Sequence, residues 1–467
     1  MTAAQHALRI GQVNAADING GAYLVAWNLF QRYQKRGHTS WLAVGDKQTH
    51  DPNVFVIPND RLCNFWSRAW SSFGERLSPF EPRVRGVGRL RRLLAWCGEP
   101  ARQFRRSRGI EEFDYPGSRQ LLAVFPDRPD IIHGHNLHGN YFDLRLLREL
   151  HRRVPVALTL HDAWLLSGHC AHSFDCDRWK EGCGRCPDLT IHPAVERDAT
   201  AGNWRRKRDI YRETRVYVAT PSRWLMQKVD QSILAPAIAG QRVISNGVDL
   251  SVFHPPADKA AARAALGLPS DAVILLFTAK GAKHNPWKDY PTLQAAVSRV
   301  ACRVHGRPLV FLALGDTAPS ERVGSAEMRF APYQRDQAIV ARYYQAADLY
   351  VHAARADSFP STVLEALACG APVVASAVGG IPEQIRPLAD SRTDEATGLL
   401  TEPGSMEAMA AGIERLITDE GLRRRLGANA AEDARRRFDL DRQTDDYLAW
   451  YREIAEQWAA NAHGRRN

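Results

Sequence analysis

The sequence predicts an α/β protein built from two parallel-sheet domains, and three observations carry that expectation. Residues from Ala347 to Gln384 read as strand, loop, helix, strand: two short Val-bearing apolar runs, Leu349–Ala353 and Pro372–Ala375, flank a helical stretch. That helix should start near Ser361–Thr362, where a hydroxyl can cap free backbone N–H groups, and stop at Gly370 with Pro372 beyond. The chain also opens on a βαβ pattern: strand 8–14, a glycine-bearing loop, an amphipathic helix Tyr23–Arg36 closed by Gly37, and strand Ser40–Val44. Finally, 467 residues are too many for one hydrophobic core.

In such a unit the loop Arg355–Pro360 opens at the carboxyl end of its strand. Ligands bind there in open parallel sheets, and a helix N-terminus facing the loop favours phosphate. Asp357 in the loop and Glu365 in the helix stand eight positions apart and can reach one side of a pocket. Carboxylates accept hydrogen bonds from hydroxyl pairs, which suits a ribose at one acid and a sugar ring at the other. The plainer reading makes Asp357 a turn residue and Glu365 a solvated one. Against it stand the polar loop Asp357-Ser358-Phe359-Pro360, the cap, the two strands and the turn Gly379-Gly380-Ile381-Pro382-Glu383, in the order a nucleotide-binding half-domain needs.

This segment resembles the signature of family 4 retaining glycosyltransferases of the GT-B fold: an acid, seven residues and Glu, then Ala368-Cys369-Gly370-Ala371-Pro372-Val373-Val374 and Gly379-Gly380-Ile381-Pro382-Glu383. The first acid is usually Glu; here it is Asp357, one methylene shorter, a departure that bears on the sugar contact more than on the nucleotide.

Composition narrows the class. With 45% apolar and 24% charged residues the chain reads as an ordinary globular protein. The N-terminus enters a strand pattern almost at once, without a signal peptide's basic start and long apolar core, and no run approaches the ~20 apolar residues of a membrane span. A cytoplasmic chain is therefore expected, in which the eight cysteines form no disulfides. A net charge of +10 and a pI near 9.3 point to acidic partners: nucleotide phosphates, lipid phosphates or an anionic membrane surface.

Taken in order, the first strand leads to Gly20-Gly21 at the strand-to-helix turn, where glycine lets a phosphate approach the backbone; a simple tight turn explains the pair equally well. The resemblance sets Gly20 and Gly21 against a donor diphosphate. The stretch 61–110 differs from its surroundings. It is rich in aromatics, and from Arg83 to Arg108 it carries nine arginines (83, 85, 89, 91, 92, 102, 105, 106 and 108) against Glu99 alone. A basic amphipathic element with such aromatics can lie on an anionic bilayer, or it can be a solvated insertion with its apolar side on its own domain. Nucleic acid ranks last, since no nucleic-acid motif accompanies the charge.

Strand patterns resume at Ile131–Gly134 and Val156–Leu160, leading into His135-Asn136 and His161-Asp162, so both loops can face one cleft. The resemblance places His161 against the transferred sugar. It places His135 and Asn136 on the acceptor side, as in a colanic-acid/exopolysaccharide-type subgroup. Cys170, Cys176, Cys183 and Cys186 follow within the loop 169–187. Four thiols at this spacing can hold a structural zinc or stand as unmetallated structural thiols; neither reading is preferred. Strand 216–220 leads to Pro221-Ser222-Arg223-Trp224, a family feature that caps the next helix, and Asn246-Gly247-Val248-Asp249 resembles the family's crossing between domains.

The second domain opens with strand Ala272–Thr278. Lys280 at its end and Lys288 before the helix Tyr290–Val300 form a pair of cations that can neutralise a diphosphate leaving group. Lys288 matches the family's lysine, and Lys280 stands where an arginine is usual. Strand Leu309–Leu314 follows. From Pro403 the pattern is helical, with segments Met406–Thr418, Glu420–Ala434 and Asp441–Ala459; Arg435-Arg436-Arg437 reads as solvated, and the apolar stripe of the last helix as core.

The expectation is thus α/β, GT-B, with two Rossmann-like domains facing a cleft: 1–240, including the insertion 61–110 and the Cys-rich loop; 241–440; and a C-terminal helix, 441–467, crossing back. The resemblance implies retaining transfer of a sugar from a UDP- or GDP-sugar to an acceptor hydroxyl of a lipid-linked saccharide, with no cofactor or metal required for catalysis. His161 and Asp357 would meet the sugar. Gly20, Gly21, Lys280, Lys288, Ser358, Thr362, Val363 and Glu365 would hold the donor. The rivals are a sugar-nucleotide epimerase of the same fold and a non-catalytic nucleotide-sugar-binding scaffold.

Overall fold

The computed structural model describes residues 7–18, 20–62, 65–80, 84, 86–303 and 306–464. The chain divides into two compact units: Met1–Thr220 with Leu225–Arg242 and Leu448–Asn467, and Pro221–Trp224 with Val243–Tyr447.

The first unit is built on β1 (Arg9–Ala16), β2 (Thr39–Asp46), β3 (Val54–Val56), β4 (Ile131–Gly134), β5 (Val156–Thr159), β6 (Val216–Thr220) and β7 (Ile238–Val243), in spatial order β3-β2-β1-β4-β5-β6-β7. Pairing from β3 through β6 is parallel. β4, β5 and β6 are buried at every residue, the unbroken apolar pattern of parallel strands covered on both faces. The carboxyl ends of β1, β4 and β5 therefore lie side by side, and their loops emerge on one edge. Gly37, at φ 80°, ends the helix Gly21–Lys35 in the left-handed region, as its place after the helical pattern predicted. Residues 448–464 of the last helix, Leu440–Gly464, pack into this unit. The Tyr451 hydroxyl lies 2.6 Å from His133 Nδ1 and 3.1 Å from the Tyr33 hydroxyl, and the expected apolar stripe is buried.

The second unit carries β8 (Val273–Thr278), β9 (Leu309–Leu314), β10 (Glu321–Val323), β11 (Ala326–Ala331), β12 (Leu349–His352), β13 (Val373–Ser376) and β14 (Gly398–Thr401), in order β10-β11-β9-β8-β12-β13-β14. Only the β10–β11 hairpin among these pairs is antiparallel. The helix Ser361–Ala368 starts and stops where expected, with Gly370 at φ 73°, but it is not capped as expected. Pro360 occupies the N-cap, and no side chain caps the first turn. A second expectation also fails. Arg437 is not solvated: it donates to Asp433 and to the carbonyls of Glu383 and Gln384, so it ties the helix Glu420–Arg437 to the turn after β13.

Candidate active site

In the second unit the site is assembled by backbone pairing. Asp289 N–H donates to the Ala353 carbonyl (3.1 Å) and Arg355 N–H to the Trp287 carbonyl (2.9 Å), which zips the loop after β8 to the loop after β12. This brings Lys288 against Asp357 in an ion pair, and Lys288 Nζ also lies 3.1 Å from His352 Nε2. An ammonium only donates, so His352 accepts at Nε2 and gives its Nδ1 proton to the Tyr350 hydroxyl, 3.1 Å away. Burial and the Lys288 charge hold His352 down to about 4, so it is neutral. Burial resists ionisation of Asp357, yet the Lys288 ammonium outweighs it and keeps that carboxyl well below the ordinary range.

Two glycines make the loop possible. A Cβ on Gly379, at φ 57°, would lie 1.8 Å from the Asp357 carbonyl, and one on Gly380 would lie 2.0 Å from the Ser358 carbonyl. Glu383 in the same turn accepts from the N–H groups of Arg223 (2.9 Å) and Trp224 (2.8 Å), so the cap expected from residues 221–224 comes from this carboxylate.

Glu365 sits one turn along the helix from Thr362. Burial pushes its carboxyl up to about 7, opposed by the Tyr344 hydroxyl. Around it Thr278, Tyr344 and Thr362 keep buried hydroxyl oxygens without a well-formed hydrogen bond. A carboxyl ringed by hydroxyls whose hydrogen bonds are poorly formed, near a helix start with no side-chain cap, can receive a polar ligand. The backbone at Thr362 and Val363 lies in that first turn. Lys280 does not join the ion pair: it is exposed at the end of β8, its ammonium 5.5 Å from the centre of the Tyr333 ring.

In the first unit the histidine loops do converge. His161 Nε2 lies 3.1 Å from His135 Nδ1, and His135 Nε2 lies 3.0 Å from Gln12 Oε1. The amide oxygen accepts, so His135 carries its proton on Nε2, and His161 must donate from Nε2 and keep Nδ1 as an acceptor. Burial lowers His161 to about 4, leaving it neutral. His135 is 1% exposed with both ring nitrogens engaged, and it supports His161. Asn136 is half-buried, and its carbonyl accepts from the Tyr141 hydroxyl at 2.8 Å. Asp162 holds His138 Nε2 at 2.7 Å and accepts from Trp164 N–H; burial works against the charged ring of His138, but Asp162 wins and raises it. Gln12, His138 and His352 were not singled out from sequence, because each looks like a polar residue stranded in a core strand or loop.

Gly20 and Gly21 begin the first helix, with Gly20 as an N-cap that offers no side chain. The preceding loop is fixed by Asp17, which accepts from the N–H groups of Ile18, Gln48 and Thr49. A Cβ at Gly21 meets nothing within 4 Å. Gly21→Ala should therefore leave the melting temperature unchanged and weaken nucleotide-sugar binding about tenfold by calorimetry, since only a closely approaching ligand would touch the new methyl. Unchanged affinity would remove Gly21 from the site.

The cysteine loop forms no disulfide among the described residues. Cys183 Sγ accepts from Gly168 N–H (3.3 Å), and His169, 1% exposed, places Nε2 3.4 Å from Cys186 Sγ. Burial pushes Cys183 up to about 12. No three His, Cys, Asp or Glu side chains among the described residues converge as a metal site, so the zinc reading gains nothing from the geometry.

Two Rossmann-like α/β units, each with a parallel-dominated seven-stranded sheet, define the GT-B class. Solved structures agree on the fold: sucrose-phosphate synthase from Thermosynechococcus elongatus superposes with a TM-score of 0.61 at 18% identity, covering 96% of this chain and 99% of that one. HepE from Anabaena, solved with UDP and glucose, gives 0.60 at 16% identity, covering 95% and 98%. Residues 19–252, half of the chain, match Glycosyltransferase Family 4, and residues 320–433 match Glycosyl transferases group 1. The chain belongs to Glycosyltransferase Family 4. It is 37% identical over 236 residues to a D-inositol 3-phosphate glycosyltransferase of Saccharomonospora viridis, covering 47% of this chain and 52% of the relative. It is 26% identical over 268 residues to the putative colanic acid biosynthesis glycosyl transferase WcaC of Escherichia coli K12, covering 53% and 60%. The chain thus spans about half the length of the curated relatives it matches.

Proposed function

We propose that this protein is a retaining glycosyltransferase that moves a sugar from a UDP- or GDP-sugar to a hydroxyl of a lipid-linked oligosaccharide in surface-polysaccharide synthesis, on the cytoplasmic side of the membrane. One observation carries the reading: the Lys288–Asp357–His352 cluster stands in one unit with Glu365, the hydroxyls around it and a helix start with no side-chain cap. A cation, an ionised acid and open backbone donors are what a diphosphate bearing sugar hydroxyls requires.

In this reading Glu365 accepts from the ribose hydroxyls, Asp357 from the sugar, and Lys280 and Lys288 neutralise the diphosphate, with Gly20, Gly21, Ser358, Thr362 and Val363 positioning its oxygens. His161 presents Nδ1 to a sugar hydroxyl. The bond between the anomeric carbon and the departing phosphate oxygen breaks. The acceptor oxygen bonds to that carbon on the same face, and its proton passes to the departing phosphate. Lysine charges and backbone dipoles stand in for a metal ion, so none is required.

HepE binds UDP and, in another structure, UDP-glucose, which supports a uridine donor, and the likeness to WcaC supports a surface-polysaccharide acceptor. The inositol-phosphate relatives favour a second acceptor class, a small phosphorylated polyol. The test is a thermal-shift screen of UDP- and GDP-sugars, then mass spectrometry of products formed on membrane lipid extracts or on D-inositol 3-phosphate. Glu365→Ala and His161→Ala should lose transfer while keeping a native circular dichroism spectrum. Wild-type rates in His161→Ala would remove that residue from the site, and donor turnover without any acceptor would identify an epimerase.

A further inference from the structure

Twelve large hydrophobic side chains are exposed among the described residues, and eight of them lie between Trp66 and Phe104. Six of these lie on an antiparallel pair of helices, Phe65–Leu77 and Val87–Gly98, and the helix Pro100–Ser107 that follows, while Phe80 and Val84 stand between the first two. The pairing is set by small residues and local bonds. Ser67 Oγ donates to the Gly98 carbonyl (2.8 Å), Trp66 Nε1 donates to the Cys97 carbonyl (2.7 Å), and a Cβ on Gly98 would lie 2.9 Å from Trp70 Cβ. Leu94 turns inward and is 6% exposed, while Leu90, Leu93 and Trp96 remain exposed at 42%, 59% and 43%. The apolar side of this insertion is therefore not packed on its own unit.

The same stretch concentrates the charge. Residues 61–110 contain twelve arginines, no lysine and three glutamates, a net +9 in a chain whose total is +10. Arg102 and Arg105 are held by Glu99 and Glu112. Arg76, Arg89, Arg106 and Arg108 are exposed; Arg89 lies among the outward apolar residues, and the Arg108 guanidinium sits 5.4 Å from the Phe104 ring centre. Arg83 and Arg85 lie outside the described residues.

We propose that this helical insertion docks on the surface of an anionic lipid bilayer, its leucines and aromatic rings in the acyl boundary and its arginines on the phosphates. Exposed leucine, tryptophan and arginine on one short element are the composition of an interfacial anchor. A second copy of the chain is disfavoured as occupant, because a self-complementary contact would set one +9 segment against another. Nucleic acid would have no use for the leucines. No helix among the described residues is long and apolar enough to cross a membrane, so the docking is peripheral. The proposal stands apart from the transfer reaction: a chain that transfers nothing would still bind such a surface.

The test is co-sedimentation of the full-length protein with vesicles of phosphatidylglycerol mixed with phosphatidylethanolamine, and with phosphatidylcholine vesicles. Anionic vesicles should bind at least tenfold more tightly, and the preference should fall as salt rises from about 0.1 to about 0.5 M. Arg89→Ser/Arg108→Ser should weaken binding about 30-fold, from about 1 kcal/mol per basic residue near the surface. Leu93→Ser/Trp96→Ser should weaken it about tenfold even at low salt. All four positions are exposed, so melting temperatures should not move. Equal binding to neutral vesicles, full binding by Leu93→Ser/Trp96→Ser, or a wild-type dimer that this double variant dissolves would each overturn the proposal.

Discussion

Replacing Lys288 with methionine is expected to destabilise the second unit by about 3–5 kcal/mol at pH 8, because it leaves the Asp357 carboxylate largely buried without its cation. The effect should depend on pH in a defined direction. The Asp357 carboxyl is held below its ordinary value of 3.8 in the folded protein, so the pair's contribution is present above that value and is lost as pH falls toward the lower folded one. The deficit of Lys288→Met should therefore already shrink as pH falls from 8 toward 4, because burial alone raises the orphaned carboxyl above 3.8 and it takes up a proton in that range. Adding Asp357→Asn should restore much of the loss at pH 8, since no charge is then left stranded. Urea unfolding from pH 4 to pH 8 reads all three variants. A single variant as stable as wild type would mean that solvent already screens the pair. The pair also bears on binding. Lys288 is engaged before any donor arrives, so a diphosphate must draw the ammonium partly away from Asp357, and donor-induced stabilisation should be nearly absent in Lys288→Met.

Glu365→Gln should act in the opposite sense on stability. Burial raises the folded carboxyl from 4.5 to about 7, so its contribution is full below the lower value and is lost as pH rises through the higher. The neutral glutamine escapes that loss and should stabilise the protein by about 2–3 kcal/mol at pH 8, with little effect at pH 4. Donor affinity should fall about tenfold in the same variant, because the amide offers one acceptor oxygen where the ribose needs two. For the wild type, the KM for donor should rise as pH drops below 7 and Glu365 takes a proton, and the Gln variant should lack that limb. A stability gain joined to a binding loss is the mark of a residue kept in a costly place for its ligand. If Glu365→Gln is instead less stable at pH 8, the protein itself satisfies the carboxylate, and its role toward ribose falls.

The core strands were legible because they are continuous apolar runs bounded by turn residues: 131–134, 216–220 and 309–314 were read residue for residue. The edge strands were not. β7 alternates half-buried and exposed positions along its whole length, and β10 is three polar-flanked residues, so neither stands out from a loop. Lys288, Asp357, Glu365 and His161 could be nominated because their motif surrounds them. What joins Lys288 to Asp357 is a backbone zipper between segments 69 residues apart, which leaves no trace in local spacing. His352 and Gln12 escaped for a related reason. A polar residue inside an apolar strand announces a partner without saying which one, and only the fold shows that His352 stands against Lys288 and that Gln12 reaches His161 through His135.

The most direct measurement is proton NMR of the first product formed by the wild-type protein from an α-linked nucleotide sugar, followed in real time with EDTA present. Retaining, metal-independent transfer predicts an α-anomeric signal that grows in step with release of the nucleoside diphosphate, at a rate the chelator does not change. A β-anomeric first product, or a reaction that stops when the chelator is added, would contradict it.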